Sequence, residues 1–513
     1  MAVAVAEVEQ RSLLKTLRWY DGFVIALANP GFLLGSLGYS VLDLGGWGAV
    51  TFWGITAFLA IFLNVIYSEL AAMFPEKSGG IALYAHEGWR KYTTLVGPIA
   101  TFGYWIAWSV VLAIFGILIG QFVTGAWFEG EPLGTPYDEG WFSMPDLPLF
   151  GAVNIGLPHL IATGLIILVW LFNVLGVKVS IRFGYLAGIL LMIPLFGLMV
   201  LPFLNGDFNS DNLTWGLLSD RSELPWGGLQ LILVWIWLMT WSAWGVDVCA
   251  TFAPEYQDTV NDTKMALRSA AVFSLLVYTL LPLGMVGAGG EEAVAAYDYV
   301  GVLTTVFGGA SDFMLIVLIA AFLISMNTAT ADGGRALYGI ARADMTIKQF
   351  GVLNRFHVPG LAMTLDMIIN ILFVWLIGNI LLILAASNLG YVLAHFFALT
   401  AFILLRRDRP AWPRPIQLAR YWVWIAGVLA AFCLVLTVVG FGWFQVAAGG
   451  YGEGTAEKVV GISVLVIGVL LFLFRKIVQD KEKPHWREET PTVPPAMTEA
   501  APPPPEPTPA ATL

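Results

Sequence analysis

The sequence predicts an all-α integral membrane protein with twelve transmembrane helices: an inverted five-plus-five repeat in which helices 1 and 6 are discontinuous, followed by two C-terminal helices. Three observations carry the membrane class, the twelve spans and their orientation, and the interruptions in spans 1 and 6 described below carry the repeat. Hydrophobic residues make up 58% of the 513 residues and charged residues only 12%, about half the charged share of a soluble domain. Twelve stretches are long and apolar enough to cross a bilayer, which takes about 20 residues each. Finally, 24 of the 26 Lys and Arg residues fall in alternate connections, the asymmetry that orients membrane proteins.

In chain order, residues 1–21 carry Arg11, Lys15 and Arg18 with no apolar run before Tyr20. They read as a cytoplasmic segment and not as a cleaved signal. The spans fall near 22–43, 48–73, 92–125, 157–175, 180–204, 227–252, 268–289, 312–331, 360–378, 381–405, 420–441 and 457–478. Residues 22–405 form the ten-span core and 406–480 the last two helices. Only Arg221 and Lys458 lie on the other side, where Glu129, Glu131, Asp138, Glu139 and Asp146 share one loop without a basic residue. Both termini are therefore expected in the cytoplasm and the protein in the cell membrane. Residues 481–513 hold ten prolines and are expected to stay extended and disordered.

Span 1 contains Asn29-Pro30-Gly31. Proline removes a backbone donor and disfavours helical dihedrals in the residue before it, and Gly31 tolerates conformations other residues resist. Within a bilayer such a break persists only where protein or a wet cavity satisfies the freed groups. Span 6 runs through Trp237, Trp241, Ser242, Trp244, Gly245 and Asp247. As one straight helix, residues 226–253 would measure about 40 Å, against a hydrocarbon core of about 30 Å, so a break near Ser242–Gly245 is predicted. Interrupted helices at matching places in two halves mark a secondary transporter's binding site. Freed N–H groups suit a carboxylate, and freed carbonyls suit an ammonium or a metal cation.

Three motifs then carry a resemblance over about residues 20–405. They are Glu69-Leu70, Pro75, Gly79-Gly80 and Tyr84 (E-L-x(4)-P-x-x-G-G-x-x-Y); Asn173, Gly176 and Lys178 (N-x-x-G-x-K); and Arg335, Tyr338, Ala341 and Arg342 (R-x-x-Y-x-x-A-R). The chain resembles the amino acid–polyamine–organocation permease superfamily. That resemblance implies the leucine-transporter-type fold and alternating-access transport of amino acids, with an amine or polyamine permease or exchanger as the second reading and a permease-derived nutrient sensor as a third. Asn29-Pro30-Gly31 stands where the family carries G-S-G, with Gly35-Ser36 as another register, and Trp244-Gly245-Val246-Asp247 stands where G-F-E is usual.

The substrate site is accordingly placed on Asn29, Pro30, Gly31, Trp241, Ser242, Trp244 and Gly245, with Trp105 and Trp108 of span 3 completing an aromatic wall beside Trp237, Trp241 and Trp244. Asp247 is read as gating or proton-linked, the role the resemblance implies for an acid there. Asn327, Thr328 and Thr330 of span 8 form a candidate cation site, since sodium-coupled relatives bind the ion between helix 1 and helix 8. Sodium coupling, proton coupling through an acid and uncoupled exchange each fit. Glu69 is read as an anchor for the first basic-side loop, and Asp366, Asn370 and His395 as structural polar groups. No enzyme motif, cofactor or resident metal site is read, and no nucleic-acid partner follows from a net charge of −10. A small amino acid or amine and the surrounding lipid are the expected partners, in a monomer or homodimer.

Overall fold

The computed structural model describes residues 15–26, 29–128, 140–144, 154–176, 193–216, 225–376, 380–449 and 455–491. It is helical throughout, apart from one antiparallel strand pair, Phe142–Ser143 with Asn154–Ile155. The first half holds α1 (Trp19–Ala26), α2 (Asn29–Met73), α3 (Gly80–Trp89), α4 (Val96–Ser109), α5 (Val111–Trp127) and α6 (Leu157–Val174). After α7 (Ile193–Asn205) come α8 (Gly228–Ala243), a 3₁₀ segment (Gly245–Glu255), α9 (Thr259–Gly289) and the short α10 (Glu291–Ala295) and α11 (Tyr299–Phe307). The long α12 (Ser311–Arg342), α13 (Gly360–Leu376), α14 (Ile380–Asp408), α15 (Trp422–Trp443) and α16 (Thr455–Phe474) complete the chain.

Nine helical stretches among the described residues are long and apolar enough to cross a membrane; α7 and α13 are shorter apolar helices bordering residues outside the description. Large apolar side chains such as Phe58, Ile316, Val428 and Leu470 stay exposed on the outer faces. That is the arrangement lipid permits when every helix satisfies its own backbone. The molecule is a multi-pass membrane protein.

Helix α2 is two spans joined end to end. Its 45 residues would measure about 67 Å if straight, and the direction changes at Gly45, with φ 70° and ψ 171°. A side chain there is excluded twice, by the positive φ and by the backbone of Thr214 and Gly216, 2.5 Å from the position of a Cβ. The Glu291 carboxylate pins this corner. It accepts from the N–H groups of Gly46 and Thr214, both at 2.5 Å, and from the Thr214 hydroxyl at 2.9 Å.

Span 3 is less regular than its composition implies. Helices α4 and α5 meet at Val110. The Asn370 side chain accepts from the Ala113 N–H (3.1 Å) and donates to the Ser109 hydroxyl (2.8 Å), so its structural role is specific: it repairs this joint.

The segment expected to be disordered from residue 481 begins in order. Thr94 donates its N–H to the Trp486 carbonyl (3.0 Å) and its hydroxyl to that of His485 (2.8 Å), while the Glu488 N–H donates to the Arg90 carbonyl (2.9 Å). These protein partners replace water for an extended backbone, which is why composition alone misread residues 485–488. Residues 492–513 lie outside the described part.

Candidate functional site

The predicted break in span 6 is present. Helix α8 ends at Ala243; its last α-type bond runs from the Trp244 N–H to the Thr240 carbonyl (3.1 Å). Asp247 N–H then reaches back only three residues, to the Trp244 carbonyl (3.2 Å). The tighter 3₁₀ winding rises about 2.0 Å per residue and carries the chain on to Glu255.

Each side chain at this junction is buried and turned to a different neighbour. The Trp241 indole donates to the Ala107 carbonyl of α4 (2.9 Å), between Trp105 and Trp108. The Trp244 indole donates to the Thr56 carbonyl of α2 (3.1 Å). Ser242 Oγ lies 2.7 Å from the Tyr278 hydroxyl of α9. Trp237 does not join them: it stacks on Phe444, beside α15. The single wall of three span-6 tryptophans is therefore corrected. A change of helix type and three different neighbours separate residues that a uniform helix would place on one face.

Asp247 lies one turn further along. Tyr391 of α14 donates to its Oδ1 (3.1 Å). Its Oδ2 faces His395 Nε2 at 3.9 Å, and neither of these two atoms has a hydrogen-bond partner among the described residues. On the other side of the ring, His395 Nδ1 is 2.6 Å from the Tyr67 hydroxyl of α2. The Trp244 ring meets the imidazole edge to face at 5.1 Å. His395, read as a structural polar group, is thus part of the junction. The sequence signal was a lone histidine in an apolar span; its partner is 148 residues away.

Asp332 of α12 and Asp366 of α13 are also completely buried, with Thr251 and Tyr104 beside the Asp332 carboxyl and Ser109 and Trp105 beside that of Asp366. Intramembrane acids of this kind are costly and usually functional. Asp332 escaped notice because the adjacent R-x-x-Y-x-x-A-R motif drew the reading to Arg335.

Of the span 1 residues, Asn29, Pro30 and Gly31 form the first turn of α2, and α1 ends at Ala26. Residues 27 and 28, and the side chains of 29–32, lie outside the description. Among the described residues, Thr328 of the candidate cation site reaches α1, donating to the Ile25 carbonyl (3.2 Å). Asn327 accepts from Asn173 of α6 (3.1 Å), and the Thr330 hydroxyl turns back to its own helix at Met326 (3.0 Å).

The end of the bundle that carries the basic loops is closed. Arg335 forms a buried two-point ion pair with Glu255, with Nη2 3.2 Å from Oε2, and lies over the Phe252 ring. The N-terminal segment adds a second layer: the N–H groups of Thr16 and Leu17 both donate to the Glu255 carbonyl at 2.9 Å. Nearby, burial pushes the Glu87 carboxyl up. Lys77, Arg90, His86 and Arg409 outweigh it and hold Glu87 well below the usual carboxylate range. Glu69 has a different partner from the one expected. It binds Arg406 (3.0 and 2.5 Å) and the Leu418 N–H (2.8 Å), so it anchors the loop after α14 and not the first loop.

Residues 19–474 match the amino acid permease family. A γ-aminobutyric acid permease of Bacillus subtilis is 25% identical over 368 residues, covering 68% of this chain and 70% of that protein. A putative arginine/ornithine antiporter of Escherichia coli K12 is 25% identical over 75% of this chain and 81% of its own. A glutamate/serine transporter of Bacillus subtilis is 22% identical, with 77% and 71% covered.

Proposed function

The chain belongs to the amino acid permease family, a family of transporters and not of enzymes, and from that premise we propose that it moves amino acids across the cell membrane by alternating access. The observation that carries the proposal is the change from α-helix to 3₁₀ helix at Trp244, with buried aromatic rings on one side and a buried acid on the other. A broken helix exposes backbone groups that bind a substrate's charged ends. In this reading Asn29, Pro30 and Gly31 supply the span 1 half of the site, and Trp241, Ser242, Trp244 and Gly245 the span 6 half. Asp247 gates the path or responds to protons.

The finer architecture belongs to the same proposal: twelve spans, the first ten as two inverted halves of five, and both termini in the cytoplasm. The distribution of Lys and Arg supports that orientation. The basic end, closed by Arg335 and Glu255, is then the cytoplasmic end.

An amine substrate is the second reading, favoured by Asp247 and Asp332, neither of which has a Lys or Arg within ion-pair distance among the described residues. Uptake of radiolabelled amino acids into proteoliposomes tests both. An amino acid needs its carboxylate bound, so its decarboxylated amine should compete poorly. Equal competition by the amine would replace the first reading with the second.

A further inference from the structure

We propose that Asp247 and His395 together form one proton-binding site, which makes H⁺ the coupling ion; this rests on the transport reading above. The atoms that face each other, Asp247 Oδ2 and His395 Nε2, are 3.9 Å apart, fully buried and otherwise unpartnered among the described residues. Their other atoms are already held. Tyr391 donates to Asp247 Oδ1, and Tyr67 meets His395 Nδ1. The two atoms face each other across a gap that must shorten by about 1 Å before they can share a proton in a hydrogen bond. A metal-like alkali cation would want several oxygen ligands, whereas an imidazole nitrogen supplies half of this site.

The charge balance requires the proton. The ionisable groups around Asp247 are Tyr67 of α2, Tyr84 of α3, Tyr104 of α4, Cys249 of its own segment, Asp332 of α12, and Tyr391 and His395 of α14. None is a lysine or arginine. The nearest guanidinium on α12, Arg335, is engaged by Glu255. A carboxylate beside a neutral imidazole leaves a net charge of −1 in the membrane interior, which is expensive. One added proton makes the pair neutral overall, either as carboxylic acid and imidazole or as carboxylate and imidazolium; the proton belongs to the pair and not to one residue.

The link to substrate is Trp244. Its ring packs on the His395 imidazole, and it is the residue at which the helix changes type. Movement of His395 toward Asp247 on loading or unloading the proton therefore shifts a wall of the proposed substrate site.

Two measurements test the site, one of them independent of transport. In detergent, a pH titration followed by infrared difference spectroscopy should show a protonated-carboxyl band that disappears in Asp247→Asn and shifts its midpoint in His395→Gln. Tyr67→Phe, which leaves both members of the pair in place, should shift it in a second, milder variant. A band unmoved by both His395→Gln and Tyr67→Phe would overturn the pairing. In proteoliposomes, an inward proton gradient should stimulate wild-type amino acid uptake at least fivefold. His395→Gln should lose that stimulation relative to its own rate without a gradient. Full stimulation in His395→Gln, or wild-type uptake driven by a sodium gradient alone, would overturn the proposal. A paired titration in a protein that moves no amino acid would support the dyad and overturn the transport reading instead.

Discussion

Arg335 and Glu255 pair inside the protein with both side chains almost wholly removed from solvent, at 1% and 2% exposure. They lie 80 residues apart, on α12 and at the end of the 3₁₀ segment, so their pairing fastens the second half of span 6 to α12.

Breaking that pair should open the basic end. Removing one partner of a buried ion pair costs about 3–5 kcal/mol, and the cost falls on the closed state described here. Native Cys249, buried on the same 3₁₀ segment, reports the change. Maleimide labelling of Cys249 should accelerate at least tenfold in Glu255→Gln, whereas buried Cys433 on α15 should be unaffected. An unchanged Cys249 rate would place the closure elsewhere.

Gly31→Leu should abolish substrate binding while the protein stays folded in detergent. This follows from the proposal that the span 1 half of the site is backbone, where a bulky residue blocks close approach. Scintillation proximity binding to the purified variant checks it. Wild-type affinity would reduce the first turn of α2 to an ordinary helix start.

Asp247→Asn should slow transport or alter its pH dependence, with substrate affinity changed less than about tenfold, or 1.4 kcal/mol. Asp247 lies beyond Trp241 and Trp244, away from the junction's centre. A loss of two or more orders of magnitude at fixed pH would show that the carboxylate holds the substrate's charge directly.

Glu87 predicts an acid limit to stability. Its folded-state carboxyl titrates below the ordinary value of 4.5, so its contribution is present above that value and is lost as pH falls toward the depressed one. The thermal midpoint in detergent should therefore drop below about pH 4.5, and Glu87→Gln should flatten that dependence. An equally steep acid limb in the variant would assign it to other carboxylates.

Topology is checked with single cysteines. A cysteine at Asp138 should react with an impermeant label from outside, and one at Arg407, whose side chain is 62% exposed, only from the opposite face. Arg409 would be a poor choice, since it is buried against Glu87.

The nine long apolar stretches among the described residues were legible in the sequence because lipid imposes length and composition directly on the chain. The break at Trp244 was legible for a related reason: Trp226 to Ala253 is too long for one straight crossing, and glycine follows the tryptophan. The pairing of Asp247 with His395 was not legible. It depends on how α14 is rotated against the 3₁₀ segment, and no local periodicity encodes that. The joint at Val110 was legible only as excess length, since 92–125 would measure about 51 Å as one straight helix; the apolar run itself does not mark where the irregularity falls.

The strap from His485 to Glu488 has a practical consequence for anyone handling the protein. Affinity tags and fluorescent fusions are habitually appended to such C-termini on the assumption that nothing there matters. Here residues 485–488 bind the turn between α3 and α4. A shortening that stops before residue 485 would strip Thr94 of both its partners at the start of α4, whereas one that stops after residue 491 leaves them in place. The safe cloning boundary is therefore set by two hydrogen bonds on Thr94, well past the last membrane helix.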